Sequence, residues 1–427
     1  MDLNIKILAK ETIQPSSPTP PHQKIYKLSL FDQLAPPVYA PVILFYSPTD
    51  VNDSAKTSHL LKKSLSETLA GFYPFAGRVK DGFSIECNDR GVIFIEAFVD
   101  CEMSMVLKQP EIDQLQQLLP EESSDQILLA VQVNYFGCGG MALSVCIRHV
   151  IADASAAAYF VKSWAAIARG ENVNFEDAIY DCTSLFPSQN LFNFSENISK
   201  NHDVLLNVAM KRFLFDGSKI AALIEKIGRI GSTQDHPTRV EAVSALIWST
   251  VIAIARERDE TMPMHVATTA VNLRKRLNPP LPPQSIGNIY QLTMANWMME
   301  KTTSYNDLAE RIHESIKKMT DEHIRKLHGG GGYLNMMKNA AEGLGKISNI
   351  EVFGFSSWCR FPFYEADFGW GKPIWVSTAL KLNKVAIFLD TSDGKGIEAW
   401  VGLSKENMDK FQRHPDILAY GSFRPSH

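Results

Sequence analysis

Apolar positions along this chain follow two periods. The runs Val42 to Tyr46, Ile127 to Val133 and Met141 to Ile147 are short and apolar, which predicts strands. Between Ser58 and Phe72 the leucines Leu61, Leu65 and Leu69 repeat at the spacing of a helix face. Asp153-Ala154-Ser155-Ala156 is predicted to open a second helix that continues through Trp164. The polar stretch from Pro187 to Asp203 has neither period and reads as a linker. Beyond it come a predicted strand at Lys211 to Phe215 and helices at about Lys219 to Ile227 and Arg239 to Arg256. Both halves are thus expected to be mixed α/β. At 427 residues and 47.7 kDa two domains are expected, because single cores stop growing near roughly 250–300 residues. The boundaries fall at 1–186, a crossover of 187–209, and 210–427.

Three local signals refine this reading. Thr238 followed by Glu241 forms a capping box at a helix start, which serves either as a plain cap or as an anion site built on exposed backbone N–H groups. Asn278-Pro279-Pro280-Leu281-Pro282-Pro283 forces an extended loop that ends at Ile286-Gly287-Asn288. Gly329 to Gly332 lacks the Gly-Lys-Ser/Thr of a phosphate loop and reads as a surface loop.

Composition excludes several classes of protein. Hydrophobic residues at 45% and charged residues at 21% are ordinary for a globular chain. A net charge of -4 and a pI near 6.3 provide no broad positive field for nucleic acid. The six cysteines form no C-x-x-C pair or cluster, so neither a zinc site nor a disulfide framework is expected. No signal-peptide pattern opens the sequence, and the longest apolar-rich run, Ala242 to Ala255, is shorter than the roughly 20 residues of a membrane span. A cytoplasmic location is expected, where the sequons at Asn52, Asn193 and Asn197 would carry no glycan.

Two segments offer chemistry. His149, in Arg148-His149-Val150-Ile151-Ala152-Asp153, lies where a strand hands over to a helix, a place that presents side chains into clefts. A free imidazole titrates near ~6.5 and can take a hydroxyl proton at neutral pH. H-x-x-x-D alone is a weak signature. Asp367-Phe368-Gly369-Trp370-Gly371 begins like the magnesium turn of protein kinases, but no H-R-D-L-x-x-x-N, glycine-rich loop or A-P-E accompanies it. Two glycines around a tryptophan describe a tight turn with an anchored ring.

H-x-x-x-D mid-chain and D-F-G-W-G near the C-terminus together resemble the signatures of the BAHD acyl-CoA-dependent acyltransferases of plants. The resemblance extends through Leu28 to Gln33, Phe72 to Arg78, Phe136 to Gly140, Thr238 to Glu241, Asn272 to Arg274, Ile286 to Asn288 and Ser356 to Arg360. It is strongest toward the branch containing vinorine synthase, salutaridinol acetyltransferase and the acylsugar acyltransferases.

This resemblance implies two chloramphenicol-acetyltransferase-like domains with an active-site channel between them. It implies that His149 is the general base, that Ser356 donates to the oxyanion with Trp358 beside it, and that Asp153 is structural and pairs with an arginine. Asp367, Phe368, Gly369, Trp370, Gly371 and Arg360 are implied to be structural. The CoA path is implied to run near Thr238, Arg239, Asn272 and Arg274. Acyl-CoA is the implied co-substrate, with no resident cofactor, no metal and no covalent acyl-enzyme on a cysteine. The expected acceptor is an alkaloid-like hydroxyl, with sucrose as the alternative and a non-catalytic relative as the remote one; a monomer is expected. The chain departs from the family at Ala154, where glycine is frequent, and at Arg148, where serine is. An ordinary backbone is therefore expected after Asp153, and Arg148 is expected to serve packing.

Overall fold

The computed structural model describes residues 3–48, 54–121, 126–176, 178–191, 207–231, 235–258, 264–298, 303–328, 332–345 and 350–423. The chain forms two compact units, one made of Met1–Ser195, Leu281–Ile289 and Phe361–Leu380, the other of Glu196–Pro280, Tyr290–Arg360 and Lys381–His427. The residues at Gly329 to Gly331 and the three sequons lie outside those described.

The first unit is built on a six-stranded sheet in the order Ile5–Ile13, Val92–Val99, Leu129–Phe136, Met141–Arg148, Tyr39–Tyr46, Trp375–Ser377. Met141–Arg148 is buried along all but its last residue, which explains its unbroken apolar run: both of its faces are covered. The helices Ser54–Gly71 and Ala154–Ala168 pack together, and Trp164 donates its indole N–H to the Ser64 hydroxyl at 3.0 Å. A buried indole needs such a partner.

The second unit is built on another six-stranded sheet, ordered Tyr290–Met298, Met264–Asn272, Ile350–Ser357, Val385–Asp390, Ile397–Ser404, Val208–Phe215. The helix Arg239–Arg258 buries Val243, Leu246, Ile247, Trp248 and Ile254 in one core with Phe353, Phe355, Ala386 and Val401 of that sheet. The predicted elements at Lys211, Lys219 and Arg239 all form, as Val208–Phe215, Gly217–Ile227 and Arg239–Arg258.

One expectation needs correction. Residues 210–427 do not all belong to the second unit, because Leu281–Ile289 and Phe361–Leu380 are part of the first. The cause is strand pairing and loop geometry. Trp375–Ser377 pairs antiparallel with Tyr39–Tyr46, and the chain after the proline run pairs Gly287 with Ala152. The D-F-G-W-G segment is therefore in the first unit. No helix among the described residues is long and apolar enough to cross a membrane.

Candidate active site

His149 sits in the turn between strand Met141–Arg148 and helix Ala154–Ala168. Its backbone N–H donates to the Val38 carbonyl at 2.9 Å, and Ile151 N–H closes the turn on Arg148 at 3.1 Å. Arg148 turns its guanidinium over the Tyr39 ring at 5.6 Å, as its packing role anticipated. Asp153 caps the helix in an ordinary extended conformation (φ -83°), with Oδ1 accepting from Ala156 N–H at 2.9 Å. Its other oxygen accepts from Ile289 N–H at 2.9 Å. Gly287 N–H donates to the Ile151 carbonyl at 3.1 Å. The end of the proline-rich loop is thus stitched to the H-x-x-x-D turn.

That stitching delivers Asn288 to the histidine. Asn288 Nδ2 donates to the His149 carbonyl at 2.6 Å and to Oδ1 of Asp32 at 2.9 Å. Both targets are acceptors, so the amide oxygen faces the other way, where it lies 2.9 Å from His149 Nδ1. An amide oxygen only accepts, so Nδ1 carries the proton and, in the neutral ring, the lone pair is on Nε2. Gly287 has φ +100°, and a Cβ there would stand 3.0 Å from the Tyr26 hydroxyl and 3.3 Å from Asp32. Only glycine permits this approach. Burial pushes the Tyr26 hydroxyl well above its ordinary range, with the neighbouring Asp32 adding to it.

The Asp367 turn is closed on itself. Asp367 Oδ1 accepts from Gly369 N–H at 2.8 Å and Gly371 N–H at 2.9 Å, while its carbonyl accepts from the Arg169 guanidinium. Both glycines have positive φ, +109° and +103°. Phe368 is fully buried, stacked on Trp370 at 5.4 Å and met edge-on by Trp164 at 5.1 Å. Tyr46 packs edge-on against both rings of the pair and donates its hydroxyl to the Ala366 carbonyl at 2.8 Å.

In the second unit, half-buried Ser356 pairs with Ile387 near the end of strand Ile350–Ser357. Trp358 is buried, with its N–H on the Phe388 carbonyl at 2.8 Å. Arg360 has φ +65°, and its N–H donates to Asp390 at 2.5 Å. The Thr238–Glu241 capping box forms, Thr238 N–H reaching Glu241 at 2.7 Å and Glu241 N–H reaching the Thr238 hydroxyl at 3.2 Å. Two of the positions expected along the CoA path have partners within the chain. Arg239 directs NH1 at the carbonyls of Gly394, Lys395 and Gly396 and NH2 at Asp390, 3.0 Å away. Arg274 is 2% exposed and shares Asn272 Oδ1 between its backbone N–H and NH1. Each guanidinium thus has an acceptor within this chain.

The model of the Transferase family matches residues 3–418. The chain belongs to that family, the BAHD acyltransferases. It is 50% identical to limonoid 1-O-acetyltransferase of Citrus sinensis, over 99% of this chain and 100% of the relative. It is also 50% identical to epi-neemfruitin B synthase of Melia azedarach, over 98% and 99%. The crystal structure of vinorine synthase superposes with a TM-score of 0.84 at 34% identity, covering 99% of both chains. The mixed α/β, two-domain fold expected from the sequence is the fold of that enzyme.

This BAHD protein is an acyltransferase enzyme. Burial pushes Cys87 and Cys359 up to about 12, far from the thiolate form a nucleophile needs. The reading of the sequence missed Asn288. It stands 139 positions from His149, so no local period connects them. The available signal was a Gly-Asn pair directly after a proline-forced loop, a placement that aims a polar side chain.

Proposed function

We propose that the chain transfers an acetyl group from acetyl-CoA to a hydroxyl of a limonoid-type specialised metabolite, with Nε2 of His149 as the base. The observation that carries this is the 2.9 Å contact from His149 Nδ1 to an Asn288 oxygen whose orientation two acceptors dictate. In the reaction Nε2 takes the hydroxyl proton as the acceptor oxygen bonds to the thioester carbon. The C–S bond then breaks, and the proton passes from Nε2 to the departing CoA sulfur. General-base help of this kind contributes about 10²–10⁴ in rate. Ser356 is the proposed hydroxyl donor to the tetrahedral oxyanion, a function worth about 10²–10³, with Trp358 holding the strand end that carries it. Thr238, exposed at its helix start, and half-buried Asn272 are the proposed positions along the CoA path.

Support for the acceptor comes from the relatives. Limonoid acetyltransferases are 50% to 44% identical to the chain, while stemmadenine O-acetyltransferase of Catharanthus roseus is 39% identical. An alkaloid hydroxyl is therefore the second reading, and sucrose rests on the resemblance of the sequence motifs alone. Incubating the purified chain with acetyl-CoA and a panel of limonoid, alkaloid and sugar alcohols, with mass-spectrometric detection of acetylated products, tests the assignment. Acetylation of a limonoid alcohol is expected; acetylation of alkaloid or sugar alcohols alone would overturn the acceptor class.

A further inference from the structure

The amide that orients His149 is itself oriented from deeper in the first unit. Turning the Asn288 side chain over exchanges acceptor for donor at one point in space. Its NH2 would then face His149 Nδ1, and the neutral ring would have to carry its proton on Nε2, which turns a base into a donor. Two acceptors oppose that turn, the His149 carbonyl and Asp32 Oδ1. The second is anchored the more firmly.

Asp32 is 1% exposed and lies at the start of the helix Leu30–Leu34. Its Oδ1 accepts from both Asn288 N–H, at 2.7 Å, and Asn288 Nδ2, at 2.9 Å. Its Oδ2 accepts from Ser29 N–H at 2.9 Å and from the Ser29 hydroxyl at 2.7 Å. All four contacts are donors aimed at the carboxylate. An amide in its place would have to point its NH2 at the backbone N–H of either Ser29 or Asn288, so no neutral isostere satisfies both sides. The close passage of Gly287 over Asp32 holds the neighbouring backbone in reach of Oδ1. From these contacts we infer that Asp32 is a positioning residue of the acyl transfer: acting through Asn288, it fixes which ring nitrogen of His149 carries the proton.

The inference rests on His149 being the base, and the test separates the two. Nitrogen-15 NMR of the full chain labelled in its histidine rings reads the tautomer directly, and steady-state kinetics are run beside it. The wild type is expected to show the proton on Nδ1. Asp32→Asn is expected to move His149 toward the Nε2-protonated form and to lower kcat about 10²-fold, with KM for acetyl-CoA changed by less than about twofold. Ser29→Ala leaves the carboxylate on Asn288 and is expected to keep the tautomer. If Asp32→Asn does not fold, Asp32→Ser, whose smaller side chain admits a water, provides the same readouts. A folded Asp32 variant with the wild-type tautomer and kcat overturns the inference. His149→Ala distinguishes the failures: turnover surviving there removes the base reading itself, whereas an inactive His149→Ala beside a fully active Asp32→Asn removes only the role of Asp32.

Discussion

Two turns of the first unit are headed by aspartates, and they dispose of their polar groups in opposite ways. At Asp367 the carboxylate closes on the N–H groups of Gly369 and Gly371, and the rings of Phe368 and Trp370 stack on each other beneath Tyr46 and Trp164. That carboxylate is spent inside its own turn. At Asp153 the carboxylate holds a helix start and Ile289, and the asparagine beside Ile289 pins one nitrogen of His149 while the other keeps its lone pair. A signature motif can thus be recognisable for either of two physical reasons. One turn is a packing device and the other positions a titratable ring, although both are read from the sequence as Asp-containing five-residue words.

The comparison is best broken at its extremes. His149→Ala is expected to reduce kcat by about 10²–10⁴-fold while thermal unfolding and acetyl-CoA binding stay as in the wild type; a loss of stability equal to the loss of activity would make the two turns alike. Phe368→Ala is the mirror image. Emptying a fully buried ring site costs about 3–5 kcal/mol, read by urea unfolding, with kcat per folded molecule retained. Asp153→Ala falls between them. It removes a helix cap worth about 1 kcal/mol and strands the Ile289 N–H at about 1–3 kcal/mol, and it lowers kcat as well, because Ile289 adjoins Asn288. A stable, inactive Asp153→Ala would instead give that carboxylate a direct catalytic role. Gly371→Ala, at φ +103°, is expected to cost about 1–3 kcal/mol with no kinetic effect.

Acid provides a separate lever, and it acts away from both turns. Burial lowers His265 and His328, both in the second unit, to about 4. The unfolded chain binds those protons near ~6.5, so their contribution to stability is full above that pH and is lost as pH falls from about 6.5 toward 4. Urea midpoints measured across that window should fall, and His265→Phe should flatten the slope.

Much of this molecule was legible in its sequence because local periods set local structure. Leu61, Leu65 and Leu69 do face the core of one helix, Met141 to Ile147 is a central strand, and Thr238 with Glu241 does close a helix start. What could not be read depends on contacts between distant positions. The return of Leu281–Ile289 and Phe361–Leu380 to the first unit is decided by strand pairing, which leaves no period in the segments themselves. Arg239 and Arg274 stand beside a capped helix and a strand end, where a sequence suggests phosphate ligands. Only three dimensions reveal the carbonyls beside the Arg239 guanidinium and the Asn272 oxygen beside that of Arg274. In the sequence Asp32 stands out only within the Leu28 to Gln33 resemblance; its capping box with Ser29 is local, but its second partner, Asn288, lies 256 positions away.

That separation has a consequence for the order in which the protein comes into being. A ribosome makes the helix that ends at Ala168, and the strand before it, long before it makes Asn288 or Phe368. Until then the His149 ring has no amide to set its proton and the Trp164 indole has no phenylalanine edge against it. The first sheet is likewise short of its edge strand until Trp375–Ser377 has been made. The His149 turn acquires its tautomer only when Asn288 has been translated and has come back.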